Sequence, residues 1–150
     1  MGWVRRIIPP GWLLLAALAS GALHRWLPLA QLLHPPVTWL GLVPLVAGLI
    51  LTSKGFGAFR RAGTPVIPFR RCTALVTTGV YSLTRNPMYL GIALMLGGIA
   101  WLLGSVGALL PLPILVWILE CGYIRAEEHF LEEIFGGTYR SYKSEVRRWL

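Results

Sequence analysis

Two short stretches of this chain hold most of the residues that could do chemistry: GVYSLTRNPMYLG at 79–91 and RAEEHFLEEIF at 125–135. In the first, Asn86-Pro87 reads as a helix start, because asparagine caps and proline suits the first turn. The free N–H groups at such an end favour an anion, and Arg85 beside them offers a guanidinium for bidentate carboxylate binding. Tyr81 and Tyr89 add aromatic surface and hydroxyls. A capped helix with a snorkelling arginine would account for these residues without any ligand.

In the second stretch, α-helical spacing sets Glu120, Glu127 and Ile134 on one stripe and turns Glu127 toward the apolar face. Glu128 and Glu132 are neighbours on another face, with Arg125 placed to pair with Glu128. A solvated charge run gives the same pattern. A carboxylate facing protein at a membrane boundary, however, marks a functional site. Glu128, His129, Glu132 and Glu133 include zinc and iron ligand types, but there is one histidine and no matching motif on another helix, which argues against a metal. His129 is expected in an interfacial polar layer instead.

The elements that must position these groups are apolar. Of 150 residues, 55% are hydrophobic and 13% charged, and the mean hydropathy is +0.63. A soluble domain carries roughly 25% charged residues, so the composition indicates an all-α integral membrane protein folded as one unit. Apolar runs at 11–27, 37–52, 88–103 and 106–124 predict four spans, most of them short of the about 20 residues a bilayer core needs and so drawing on flanking residues. The last two are joined by Gly104-Ser105 as a tight hairpin. A signal peptide would resemble the first run, but the membranous remainder favours an uncleaved helix.

All six carboxylates lie at 120–145, while residues 1–119 hold nine Lys/Arg and none. Those basic residues flank apolar runs, which points to anionic headgroups rather than nucleic acid. Lys/Arg excess marks the cytoplasmic side. It places both termini and the 53–87 loop there, in what is expected to be a bacterial or archaeal inner membrane. The loop, rich in glycine and proline, is expected to be irregular with short extended pieces. The tail is expected to continue the fourth helix to Phe135, to stop at Gly136-Gly137, and to form an amphipathic helix from Thr138 to Trp149. Cys72 and Cys121 are expected to be free thiols.

One cytosolic site would thus join an anion-binding helix end from 81–89 to carboxylates from 127–128. S-adenosylmethionine asks for both, through its carboxylate and through its ammonium and ribose hydroxyls. The stretches AGTPVIPF (62–69), LVTTGVYSLTRNPMYLG (75–91) and EEHFLEEIFGGTYRSYKSEVRRWL (127–150) carry a closer likeness. Together they resemble the isoprenylcysteine carboxyl methyltransferase and phospholipid methyltransferase superfamily of integral membrane enzymes.

The resemblance implies that Tyr81, Arg85, Asn86, Pro87 and Tyr89 form a cofactor-binding turn and that Glu127 and Glu128 contribute to the S-adenosylmethionine site. It also implies that Tyr139, Tyr142, Arg147 and Arg148 belong to a tail that closes over the cofactor and orients the substrate. Asn86 stands where the eukaryotic carboxyl methyltransferases have histidine. The implied reaction is direct methyl transfer to a lipophilic or prenyl-type acceptor, with Arg148 or Arg147 holding an acidic group. Phospholipid N-methylation and methylation of a small thiol are alternatives. So are an NADPH-dependent enzyme like the sterol reductases and a non-catalytic transporter or assembly subunit. The absence of charge in the spans before Glu120 argues against an ion path.

Overall fold

A computed structural model describes residues 4, 7–63 and 74–150. Arg5, Arg6, Arg70, Arg71, Cys72 and most of the AGTPVIPF stretch therefore lie outside the described residues. Among those described there is no strand, apart from an isolated bridge between Gln31 and Ser105. The helices are α1 (Pro9–Trp26), α2 (Leu42–Arg61), α3 (Pro87–Leu103), α4 (Val106–Leu109), α5 (Pro111–Leu119), α6 (Arg125–Phe135) and α7 (Gly137–Glu145). Single 3-10 turns at Val37–Gly41 and Gly79–Ser82 precede α2 and α3, and a π turn at Glu120–Ile124 joins α5 to α6.

Two helical stretches, Val37–Arg61 and Val106–Phe135, are each long and apolar enough to cross a membrane. The helices α1 and α3 are shorter, at 18 and 17 residues. Along α2 the side chains of Val43, Val46, Leu49 and Ile50 are exposed, as befits a surface solvated by lipid tails rather than water. The core forms where α3 meets α1 and α5, around Ile92, Leu96, Leu115, Leu119, Tyr123 and Ile124.

The helix α2 packs along α3, and α1 lies on α3, α4 and α5. Between α3 and α4 the chain reverses through Gly104, at φ 72°, and Ser105, whose Oγ accepts from the Ala108 N–H at 3.3 Å. This is the expected hairpin.

Three expectations need correction. The helix α2 does not stop at Thr52 but runs on to Arg61. Its Gly55 faces Met88 so closely that a Cβ there would lie 2.7 Å from Met88 Cγ. That glycine serves helix packing, not a loop. The second correction concerns the amphipathic tail, which ends at Glu145, where Val146 turns extended with φ −117° and ψ 132°. Residues 146–148 leave the helix because their carbonyls bond to residues 84–86. The third is the π turn, which the 3.6-residue period did not anticipate.

Candidate active site

Where α3 starts, the polar segments converge. Pro87 occupies the first turn of α3 and is buried, but Asn86 does not cap the helix with its side chain. Its Nδ2 instead donates to the Arg148 carbonyl at 3.1 Å. Thr84 Oγ1 donates to the same carbonyl at 3.0 Å, and the Arg85 N–H donates to the Arg147 carbonyl at 2.9 Å. The 84–86 segment and the tail thus form one hydrogen-bonded junction, which satisfies backbone groups that would otherwise be buried unpaired.

Arg85 is the hub of that junction. Its Nη1 donates to the Lys143 and Val146 carbonyls, at 2.9 and 2.8 Å, and its Nη2 donates to Glu128 Oε1 at 2.9 Å. Arg148 approaches the same carboxylate from the other side, with Nη2 to Oε2 at 2.7 Å and Nε to Oε1 at 3.0 Å. Burial alone would raise the Glu128 pKa. The hydrogen bonds and charges of Arg148 and Arg85 more than reverse this and hold the carboxyl below its usual range. The Glu128 bond in turn raises Arg148. Arg85 therefore binds a carboxylate as its chemistry suggests, but that carboxylate belongs to the chain.

Glu127 turns inward as expected, but Glu128 takes the place on the Glu120 stripe that was expected of Glu127. A π turn holds one more residue than an α turn, so the position seven residues past Glu120 in an unbroken helix is taken here by the eighth. Glu128, not Glu127, follows Glu120: Arg148 Nη1 reaches Glu120 Oε1 at 3.1 Å while its other nitrogens hold Glu128. Arg125 likewise pairs with Glu120 at 3.0 Å rather than with Glu128. Glu128 is 5% exposed. Glu127 turns toward α3 and accepts from the Tyr89 hydroxyl at 2.7 Å. His129 is exposed and sits 3.4 Å from Glu133.

A cavity of about 370 Å³ opens at this point, within the size range of small-molecule and cofactor sites. Tyr81, Arg85, Asn86 and Tyr89 line it from one side, Glu127 and Glu128 from another, and Tyr139 and Tyr142 from the tail. Eight of the anticipated site residues therefore share one cavity. Pro87, Arg147 and Arg148 do not line it.

Burial pushes the Tyr142 hydroxyl up to about 12, and burial with nearby negative charge pushes Tyr81 and Tyr139 higher still. All three stay neutral near pH 7. Tyr142 donates to the Tyr81 carbonyl at 2.6 Å, tying α7 to the loop before α3.

The spacing arguments missed the wall that α2 contributes, Thr52, Phe56 and Phe59. Phe59 packs edge-on against Tyr81, with ring centroids 5.5 Å apart. Their three- and four-residue spacing was a legible sign that the helix continues beyond Ser53. Among the described residues no cluster of three or more His, Cys, Asp or Glu could hold a metal ion.

Fold and site define a small all-helical protein of membrane type, with one apolar-walled cavity bearing carboxylates, arginines and tyrosines at a polar end of the bundle. A family model for phospholipid methyltransferases matches residues 36–138. Protein-S-isoprenylcysteine O-methyltransferase B of Arabidopsis thaliana is 32% identical over 115 residues, covering 75% of this chain and 58% of the plant protein. The Saccharomyces cerevisiae protein-S-isoprenylcysteine O-methyltransferase is 39% identical over 72 residues, 48% of this chain and 30% of the yeast protein. An uncharacterized protein of Haemophilus influenzae is 43% identical over 65 residues, 42% of this chain and its own whole length. The chain belongs to the isoprenylcysteine and phospholipid methyltransferase superfamily. It spans less than two thirds of the length of the plant relatives it matches. No solved structure matches it significantly.

Proposed function

We propose that this protein is an S-adenosylmethionine-dependent membrane methyltransferase acting on a lipophilic or prenyl-type acceptor, as the names of its relatives suggest. The observation that carries the proposal is the shared cavity, where residues of three separate sequence segments meet around carboxylates and aromatic rings. Four spans with both termini cytoplasmic would put this cavity at the inner membrane surface.

The donor set fits the cofactor. Glu127, held by Tyr89, offers a carboxylate to an ammonium or to ribose hydroxyls. Tyr81, Phe59, Tyr139 and Tyr142 offer ring faces and edges to a purine. The start of α3 has no side-chain cap and lies next to Asn86 and Tyr89, which line the cavity, so the free N–H groups after Pro87 would suit a carboxylate there.

S-adenosylmethionine, when bound, supplies an electrophilic methyl group. The protein aligns an acceptor with it and excludes water through the apolar walls. A carboxylate acceptor is already ionised at pH 7 and needs no general base. Of the two tail arginines, Arg148 is tied to Glu128 and Glu120, whereas Arg147 has an exposed side chain with no ion pair among the described residues. Arg147, which does not line the cavity, is therefore left to hold an acidic group of the acceptor at its edge rather than inside it. Glu127 would act by placing the cofactor.

Isothermal calorimetry of detergent-purified protein with S-adenosylhomocysteine, and separately with NADPH, tests the proposal. Saturable heat with the first alone is expected. Saturable heat with NADPH alone would transfer the cavity to the reductase-like reading.

A further inference from the structure

A second concavity lies behind the wall that Leu75 and Val76 share with the first. It is an open groove of about 740 Å³, with Lys54 and Arg61 of α2 on one side and Thr77, Thr78 and Gly79 on the other. Both cations are exposed, and neither makes an ion pair among the described residues. The sequence explains part of this, since no carboxylate precedes Glu120, and Glu120, Glu127, Glu128, Glu132 and Glu133 are bonded to other residues. Arg61 in the last turn of α2 could serve the helix dipole alone. Lys54 lies about two turns earlier, beyond the reach of that effect.

The helix α2 shows what would fill such a groove. At about 100° per residue, Val43, Ile50, Lys54 and Arg61 fall within roughly 20° of one line along the helix. Val43 is 68% and Ile50 49% exposed, so an apolar stripe leads directly into the cation pair. Hydrocarbon below and two unpaired cations with hydroxyls above match the two halves of one molecule.

We infer that the Lys54–Arg61 groove binds the headgroup of an anionic phospholipid, whose acyl chains lie along Val43 and Ile50. The phosphate sits between the two cations within reach of the Thr77 and Thr78 hydroxyls. Because Leu75 and Val76 line both concavities, the bound lipid also braces one wall of the candidate active site. This is a site for a fixed membrane component, separate from any methyl acceptor.

Native mass spectrometry of the detergent-solubilised full chain, titrated with phosphatidylglycerol or phosphatidylcholine, tests the inference. One phosphatidylglycerol should be retained in preference to phosphatidylcholine. The Lys54→Gln/Arg61→Gln variant should weaken that retention about 30-fold, as expected for two lost lipid-facing cations. Arg60→Gln/Arg140→Gln removes the same charge outside the groove and should leave retention unchanged. Equal weakening by both double variants would overturn the site in favour of diffuse attraction. Lack of preference between the two lipids would overturn it as well. Displacement of the lipid by inorganic phosphate alone would assign the groove to a small anion and contradict the lipid.

Discussion

The seam between α2 and α3 and the junction between residues 84–86 and the tail are held together by opposite means. Along the seam the backbones meet at glycines. A Cβ added at Gly91 would lie 2.6 Å from the Gly48 carbonyl, and one at Gly41 would lie 2.6 Å from the Gly98 carbonyl. Such contact depends on the absence of atoms, and van der Waals packing does the rest. The junction depends on the presence of atoms, since Glu128, Arg85, Arg148 and Asn86 satisfy one another and the tail backbone. Adding a methyl group breaks the first; removing a polar group breaks the second.

The largest effect is expected at Glu128. Glu128→Ala leaves the Arg85 and Arg148 guanidiniums facing each other in a mostly buried site and should cost about 3–5 kcal/mol, read as a lowered midpoint of thermal unfolding in detergent. The same carboxylate predicts the acid limit of stability. Its pKa is lower folded than unfolded, so its contribution is complete above the ordinary carboxylate value of about 4.3 and is lost as pH falls through the folded value. Glu128→Gln should flatten that part of the pH profile. An unchanged profile would remove Glu128 from the set of groups that hold the tail.

Next in size is Gly98→Val at the seam. Overpacking there, against Gly41 and Leu45, should cost about 1–3 kcal/mol while leaving the affinity for S-adenosylhomocysteine intact, because none of these residues lines the cavity. Asn86→Ala is expected to be smaller, about 0.5–1.5 kcal/mol for one hydrogen bond. It should also speed proteolysis after Lys143 by loosening the tail. Asn86→His, the residue of the eukaryotic carboxyl methyltransferases, should restore protection if an imidazole N–H reaches the Arg148 carbonyl.

The same contrast separates what the sequence makes legible from what it hides. Apolar runs announced the helices, and Gly104-Ser105 announced the hairpin, because burial and turn chemistry act locally. The extension of α2 was legible in the spacing of Thr52, Phe56 and Phe59 but was masked by Gly55 and Gly57, which read as loop residues until Met88 is seen packed against the first. The place of Glu128 on the Glu120 stripe was hidden by the π turn, since no residue type in ECGYI specifies i→i+5 bonding. Asn86 read as a helix cap, and its true partner, the Arg148 carbonyl, lies 62 residues away. A backbone acceptor at that distance leaves no mark in a periodicity.

The central claim is that the junction and the cavity together make a cofactor site in which Glu127, not Glu128, meets the ligand. It is tested most directly by calorimetric titration of S-adenosylhomocysteine into the unmodified protein, Glu127→Gln and the surface control Glu133→Gln. The account predicts that Glu127→Gln keeps its thermal unfolding midpoint but binds roughly 10- to 100-fold more weakly, as for loss of a charged hydrogen bond, while Glu133→Gln binds normally. Unchanged affinity in Glu127→Gln, with the protein folded, would contradict it.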